Sequence, residues 1–385
     1  MKKFFIITLI TFSITTGVLF YTVDALDKTD VIDGKLNTIK DELDSRYIGE
    51  IDPLKLEEGI YKGFVAGVGD PYTSYFTPSE FTTFMESTTG IYAGIGVQMM
   101  LDKTDNSISI IEVFENSPAQ KAGILPKDKI IGADDTKLDG DDFEIVPDLI
   151  KGKEGTSVMV TIYRPSEDVE IQFDIIRENV VYPSVDYKML EEDIGYVEIR
   201  SFEELTYTQL VEGIQILENS GAKGLVLDLR NNPGGLLHIV EQIVDEFIPS
   251  GIIVSISDGK GGKQDTLATE LYNDIPLVVL VNEQSASASE VLSGALKDHG
   301  RAKLVGTRTY GKGIVQTILP LIDGSAIKVT TSEYYTSSGV CIQGTGIEPD
   351  YVVELPAELM IKPNLTTEED LQLQKALQVL ISEME

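Results

Sequence analysis

The chain has 385 residues, 42% of them hydrophobic, and 31 basic against 63 acidic side chains give a formal net charge of -32. Two or three compact units with a substantial core are expected, and a disordered chain is excluded. So anionic a surface repels phosphate backbones and anionic headgroups, which argues against nucleic acid as a partner. A single cysteine, Cys341, rules out an intramolecular disulfide, and with only His238 and His299 no zinc site is legible. Cys341 reads as a buried, inert small side chain.

At the N-terminus, Lys2 and Lys3 precede an uncharged, mostly apolar run from Phe4 to Val23. It is long enough to span a bilayer. Val23-Asp24-Ala25 also offers a small-residue cleavage site, so a membrane anchor and a removable signal peptide both stand. Either places the remainder outside the cytoplasm, because positive charge stays inside.

Residues 26–85 read as helical, with Leu36, Ile39 and Leu43 at helical spacing, then Leu56, Ile60 and Phe64. GDPYTSYFTP (69–78) is turn chemistry near the end of that segment. Residues 88–178 read as a small β-rich domain, with alternating strands at Ser107–Val113 and around Val158, Val160 and Ile162. Ser117-Pro118 opens a short helix that Gly123 ends. Phe143, Val146, Leu149 and Ile150 mark another, which Pro147 shortens or delays and Gly152 ends. From about residue 180 the pattern is strand, helix, strand. Ile194–Ile199, Leu225–Leu229 and the apolar run Leu277–Val281 are strands, the last buried on both faces. Helices are expected around Leu210 to Leu217 and from Leu236 to Phe247. An acidic amphipathic helix is expected from Thr367 onward.

VNEQSASASEVLSGALKD (281–298) runs from a buried strand through a polar turn into a helix. Ser287 therefore stands at a helix N-terminus, where free N–H groups favour the oxyanion that a serine nucleophile creates. Ser287 and Glu290 also fit a simple S-x-x-E capping box. No Asp-His partner is legible, although His238 follows a glycine-rich loop. A lysine serves as base where burial lowers its pKa. Lys312, flanked by Gly311 and Gly313, is the candidate. GTRTYGKG (306–313) lacks the final Ser/Thr of a phosphate-binding P-loop and runs into a strand. Ser257-Asp258-Gly259-Lys260 lies in a glycine-rich loop, not at a helix start. DLRNNPGG (228–235) can present backbone N–H groups to an anion.

Together these stretches resemble the C-terminal processing peptidases, or tail-specific proteases. The resemblance runs from about residue 34 to the C-terminus. It rests on GDPYTSYFTP, YAGIGVQM (92–99), SPAQKAGILPKDKI (117–130), LDLRNNPGGLL (227–237), VNEQSASASE (281–290), YGKGIVQ (310–316) and GTGIEPD (344–350). It implies an α+β fold: a mixed α/β serine protease core of the crotonase and Clp type, assembled around an inserted PDZ domain and preceded by a helical segment. The expected divisions are 1–25 (signal or anchor), 26–87 (helical segment), 88–178 (PDZ), 179–356 (protease core) and 357–385 (helical tail).

By the same resemblance Ser287 is the nucleophile, Lys312 its base and Gln316 a support for the dyad. The N–H of Ala288 and that of Gly234 or Gly235 form an oxyanion hole. The turn Gly94, Ile95, Gly96, Val97 holds a substrate C-terminus added to the PDZ domain as a strand. Lys151 stands where an arginine gates the dyad through that glutamine, and Lys127 stands where PDZ domains often carry glycine. No cofactor and no metal are expected. Protein or peptide C-termini are the expected partners, with the membrane engaged through the N-terminal segment and a homo-oligomer left open. A non-catalytic peptide or lipid carrier on the same scaffold, and a Ser-His enzyme using His238, are the competing readings.

Overall fold

The computed structural model describes residues 29–270, 272–360 and 365–384. The apolar run 4–23 lies outside them. Among the described residues no helix is long and apolar enough to cross a membrane. The chain divides into two compact units, residues 1–67 and 68–385.

The first unit contains helices α1 (Thr29–Arg46) and α2 (Pro53–Ala66). Asp52 starts α2 by accepting from the Leu54 N–H at 3.0 Å, with Pro53 in the first turn. The helical spacing is real, but the stripe is not buried: Ile39, Leu43, Ile60 and Phe64 are exposed, and of α2 only Val65 is buried.

In the second unit the turn at 70–73 carries a short strand, β1 (Ser74–Phe76), inside what reads from sequence as a helical stretch. It pairs antiparallel with residues 326–328. Helix α3 (Pro78–Thr89) follows, opened by a Thr77–Glu80 capping box and ended by Gly90 at φ 68°. Strands β2 (Ile91–Gly94) and β3 (Glu178–Val181) pair antiparallel, so the chain enters and leaves the intervening β domain through one ribbon. That domain is a twisted antiparallel sheet in which Ser157–Arg164 alternates strictly, burying Val158, Val160 and Ile162. Ser117 caps its first short helix and Gly123 ends it at φ 95°. Its second helix starts late, at Val146, as Pro147 requires, and Lys151 ends it.

The remaining chain builds a six-stranded sheet in the order β4 (Val185–Met189), β5 (Ile194–Ile199), β6 (Gly224–Asp228), β8 (Leu277–Val281), β9 (Lys303–Gly306), β12 (Tyr351–Val352). All neighbours are parallel except β4 and β5. Helices α4 (Thr206–Asn219), α5 (Leu237–Phe247) and α6 (Ala288–Asp298) cover one face through Leu210, Ile243, Leu292 and their neighbours. The C-terminal helix α7 (Leu371–Met384) covers the other through Leu373, Ala376, Val379 and Leu380. Burial on both faces explains why every residue of β8 is apolar. A second sheet contains β7 (Ile252–Ser257), β10 (Ile314–Pro320) and β11 (Ala326–Tyr335) together with β1.

Candidate active site

Three loops leave the carboxyl ends of the neighbouring parallel strands β6, β8 and β9 and meet at one edge of the sheet, the usual place for a site in such a sheet. The β8 loop carries Ser287. Its backbone sits at φ 56°, ψ -114°, a conformation few non-glycine residues adopt. The flanking serines of S-A-S-A-S are consumed by structure. The Ser285 hydroxyl donates to the Leu229 carbonyl at 2.8 Å, and that of Ser289 donates to the Asn232 carbonyl at 2.9 Å. The Ser287 hydroxyl faces the phenol of Tyr334, whose pKa is pushed up to about 12, chiefly by burial.

The β6 loop closes over this turn. Gly234, at φ 109°, packs so tightly that a Cβ there would stand 2.9 Å from the Ser287 Cβ. Its N–H donates to the Asn232 side chain at 2.9 Å. Gly235, at φ 150°, would drive a Cβ into the Phe202 carbonyl. Among the described residues the N–H groups of Gly235 and Ala288 donate to no backbone carbonyl.

The β9 loop carries Lys312. Gly313 has no room for a side chain, because a Cβ would stand 2.2 Å from the Gln343 nitrogen. The GTGIEPD segment packs beneath, with Gly344 donating to the Gly311 carbonyl at 2.8 Å. The Lys312 ammonium lies 5.2 Å from the centre of the Tyr72 ring, a residue of the GDPYTSYFTP turn. Burial holds its pKa below the ordinary lysine value, and the Lys328 charge lowers it further, against an opposing pull from Glu290. No hydrogen bond among the described residues links Lys312 to Ser287. Gln316 follows a bulge and donates to the Ile314 carbonyl at 3.4 Å.

The residue that joins these loops is Glu290, fully buried one turn into α6. One of its oxygens accepts from the N–H of Ser287 at 2.8 Å and from the N–H of Lys312 at 2.8 Å. The other accepts from the Thr309 hydroxyl at 2.6 Å and the Gly311 N–H at 2.7 Å. Sequence reading assigns Glu290 only to a capping box. The fourfold role has no local signal, because three of the donors lie about twenty residues downstream.

Elsewhere, Ile95 is buried in the Gly94–Val97 turn of the β domain, and Gly96, at φ 81°, abuts Ser117. The Lys151 ammonium stands 3.4 Å from Glu86 of α3 and 4.8 Å from the Tyr92 ring centre, not on Gln316. His238 is exposed beside Glu204 at 3.3 Å. His299 is exposed at the end of α6. Cys341 is half-buried, not buried as its residue type suggests, because it lies in an irregular loop beyond β11.

Two family models match the chain: Peptidase family S41 over residues 193–353 and the PDZ domain over residues 93–175. The chain is 36% identical over 332 residues to the carboxy-terminal-processing protease of Bartonella bacilliformis, covering 84% of this chain and 75% of that one. It is 36% identical over 374 residues to a protein of Staphylococcus aureus described as a CtpA-like serine protease, covering 94% of this chain and 74% of the relative. A solved structure from Bacteroides fragilis assigned to the S41 proteases shares the fold at a TM-score of 0.54 and 16% identity, over 88% of this chain and 93% of that one. The family match and the relatives thus define a serine protease. The chain belongs to the C-terminal processing proteases of peptidase family S41, and it carries a PDZ domain.

Proposed function

We propose that the chain is an extracytoplasmic endopeptidase that grips the C-terminal end of a protein substrate in its PDZ domain and cleaves it with a Ser287–Lys312 dyad. The observation that carries this reading is Glu290: one buried carboxylate binds the backbone N–H of both residues, so nucleophile and base hang from a single anchor. Neutral Lys312 takes the Ser287 hydroxyl proton as Oγ bonds to the scissile carbonyl carbon. The oxyanion is received by the Ala288 N–H and by that of Gly235, since the Gly234 N–H is engaged at Asn232. Lys312 then gives the proton to the leaving amine, and the acyl-enzyme is hydrolysed by water that the same lysine activates. Gln316 steadies the lysine once substrate is bound. The Gly94–Val97 turn receives the substrate carboxylate, and Lys151, released from Glu86, couples that event to Gln316. The location outside the cytoplasm rests on Lys2, Lys3 and the apolar run 4–23.

Ser287→Ala and Lys312→Ala are each expected to abolish cleavage of a reporter peptide with a free C-terminus while leaving the circular dichroism spectrum unchanged. Retention of more than a few per cent of the activity by either purified variant would overturn the dyad. Retained activity in His238→Gln would set the Ser-His alternative aside.

A further inference from the structure

The sheet separates the active site from the C-terminal helix, yet one side chain connects them. Val226, Val278, Leu280 and Val305 face α7, whereas Leu225, Leu227 and Leu229 face the opposite core. Alternation sends Asp228 and Arg230 to the α7 side. There the Arg230 guanidinium donates to Asp370, just before α7, at 2.9 and 2.8 Å, one bond to each carboxylate oxygen. It also donates to Asp228 through Nε at 2.9 and 3.0 Å, and to the Gln372 side chain at 3.1 Å. Asp370 has a second task, accepting from the Leu373 N–H at 3.0 Å to start the helix.

We propose that Asp370 is a positioning residue for the oxyanion loop, so that the C-terminal helix is part of the machinery that holds residues 228–235 against the nucleophile; this rests on the reading of Ser287 and that loop given above. The path is short. Arg230 is followed by Asn231 at φ 61° and then by Asn232. The Asn232 side chain fixes the Gly234 N–H, and its carbonyl accepts from the Ala286 N–H at 3.0 Å and the Ser289 hydroxyl at 2.9 Å. Arg230 is therefore two residues from a carbonyl that accepts directly from the turn that carries Ser287.

The pair is not needed to dock the helix, which Leu373, Ala376, Val379 and Leu380 already seat. A buried ion pair adds little net stability over an apolar contact, but a bidentate one fixes geometry. The Arg230, Asp228 and Asp370 side chains are 13%, 4% and 7% exposed, so water competes little. They stand at the wall of a polar cavity of 640 Å³ that also holds Glu198 and Glu354. A guanidinium freed from Asp370 has other carboxylates to turn to, and the loop would lose its single arrangement.

The test is steady-state kinetics of the full chain on the reporter peptide, with Asp370→Asn, Asp370→Glu and Ser287→Ala beside the parent. Asparagine caps a helix as aspartate does, so Asp370→Asn isolates the loss of the charged acceptor. It should lower kcat by about tenfold or more and leave KM within about twofold, since a misplaced loop acts on the transition state. The rate at which a fluorophosphonate labels Ser287 should fall in parallel. Asp370→Glu keeps the charge and should recover part of kcat. A purely structural role would lower the melting temperature and leave kcat, measured well below the transition, at the parent value; that result overturns the proposal. If Asp370→Asn does not fold, Arg230→Lys keeps the charge and removes the planar fork that grips both oxygens of Asp370, and an unchanged kcat in that variant is equally fatal. If Ser287→Ala cleaves like the parent, the reading of the site fails. If Ser287→Ala is dead and Asp370→Asn is unimpaired, only the present inference fails.

Discussion

The serine's turn and the lysine's loop come from adjacent strands and share one carboxylate, yet they are held differently. Around Ser287 nearly every backbone and neighbouring side-chain group is engaged, from Ser285 on Leu229 to Ser289 on Asn232. Around Lys312 the backbone is equally fixed, through Glu290 and the Gln343 side chain. The lysine side chain lies over an aromatic ring, a contact worth about 0.5–2 kcal/mol, and its ammonium donates no hydrogen bond among the described residues. In the proposed dyad the nucleophile is thus preset, and the base is the part less tightly held. A protease that must wait for a substrate tail gains from that division, because the less tightly held member can be controlled without disturbing the oxyanion site.

The largest blow to this arrangement, short of removing the dyad, is Glu290→Gln. A carboxylate accepts from all four donors, whereas an amide turns its NH₂ toward two of them. Leaving two buried donors unmet should cost about 2–4 kcal/mol in urea unfolding. Displacing both loops should lower kcat by about 10²-fold. A Glu290→Gln enzyme with parent kcat would show that the shared anchor does not matter.

The lysine side of the comparison is sharpened by pH. In the proposed mechanism Lys312 works as a base only when neutral. Burial and then the Lys328 charge disfavour its protonated form and hold its pKa below the ordinary value. kcat/KM should therefore rise with pH from neutral into the alkaline range, with its midpoint below that of a free lysine at about 10.4. Lys328→Met removes a like charge, raises the Lys312 pKa and moves the rise to higher pH, whereas Lys328→Arg leaves it in place. Coincident profiles for parent and Lys328→Met would count against Lys312 as the titrating base.

Control of the base through the PDZ domain should be a smaller effect. Lys151 must leave Glu86 to act, and lysine lacks the planar fork of arginine. Lys151→Arg should increase stimulation of reporter cleavage by a separate PDZ-binding peptide, and Lys151→Ala should reduce it, by about fivefold at most. Equal stimulation in all three proteins would remove Lys151 from the coupling. The smallest expected change is in the PDZ domain alone. Lys127 occupies φ 76°, where a side chain is strained. Lys127→Gly should raise stability by about 1 kcal/mol in chemical denaturation and leave kcat unaltered.

Much of this was legible in the chain because it is encoded locally. The five apolar residues of β8, the polar turn after them and the helix signal beyond place Ser287 at a strand-to-helix junction without any tertiary information. Ser117-Pro118 and Gly123 likewise bound their short helix, and Pro147 delays the next. Local signals also mislead. Ile39 and Leu43 have the spacing of a core stripe and are exposed, since periodicity says which residues share a face but not what covers it. Ser74–Phe76 is too short to announce itself as a strand and exists because residues 326–328 pair with it.

By itself, then, the sequence determined the strand-to-helix junction at Ser287, the bounds of the short helix at Ser117–Gly123 and the glycine-lined approach to Lys312, all carried by neighbours within a few residues. Only the tertiary structure decided which groups act together. It brought Thr309, Gly311 and Lys312 onto Glu290. It set Lys312 on Tyr72, some 240 residues away in the chain, and Arg230 on Asp370, 140 away. The physical reason is that a buried charge must find partners wherever the fold brings donors or acceptors, and those meetings leave no periodic trace in either segment.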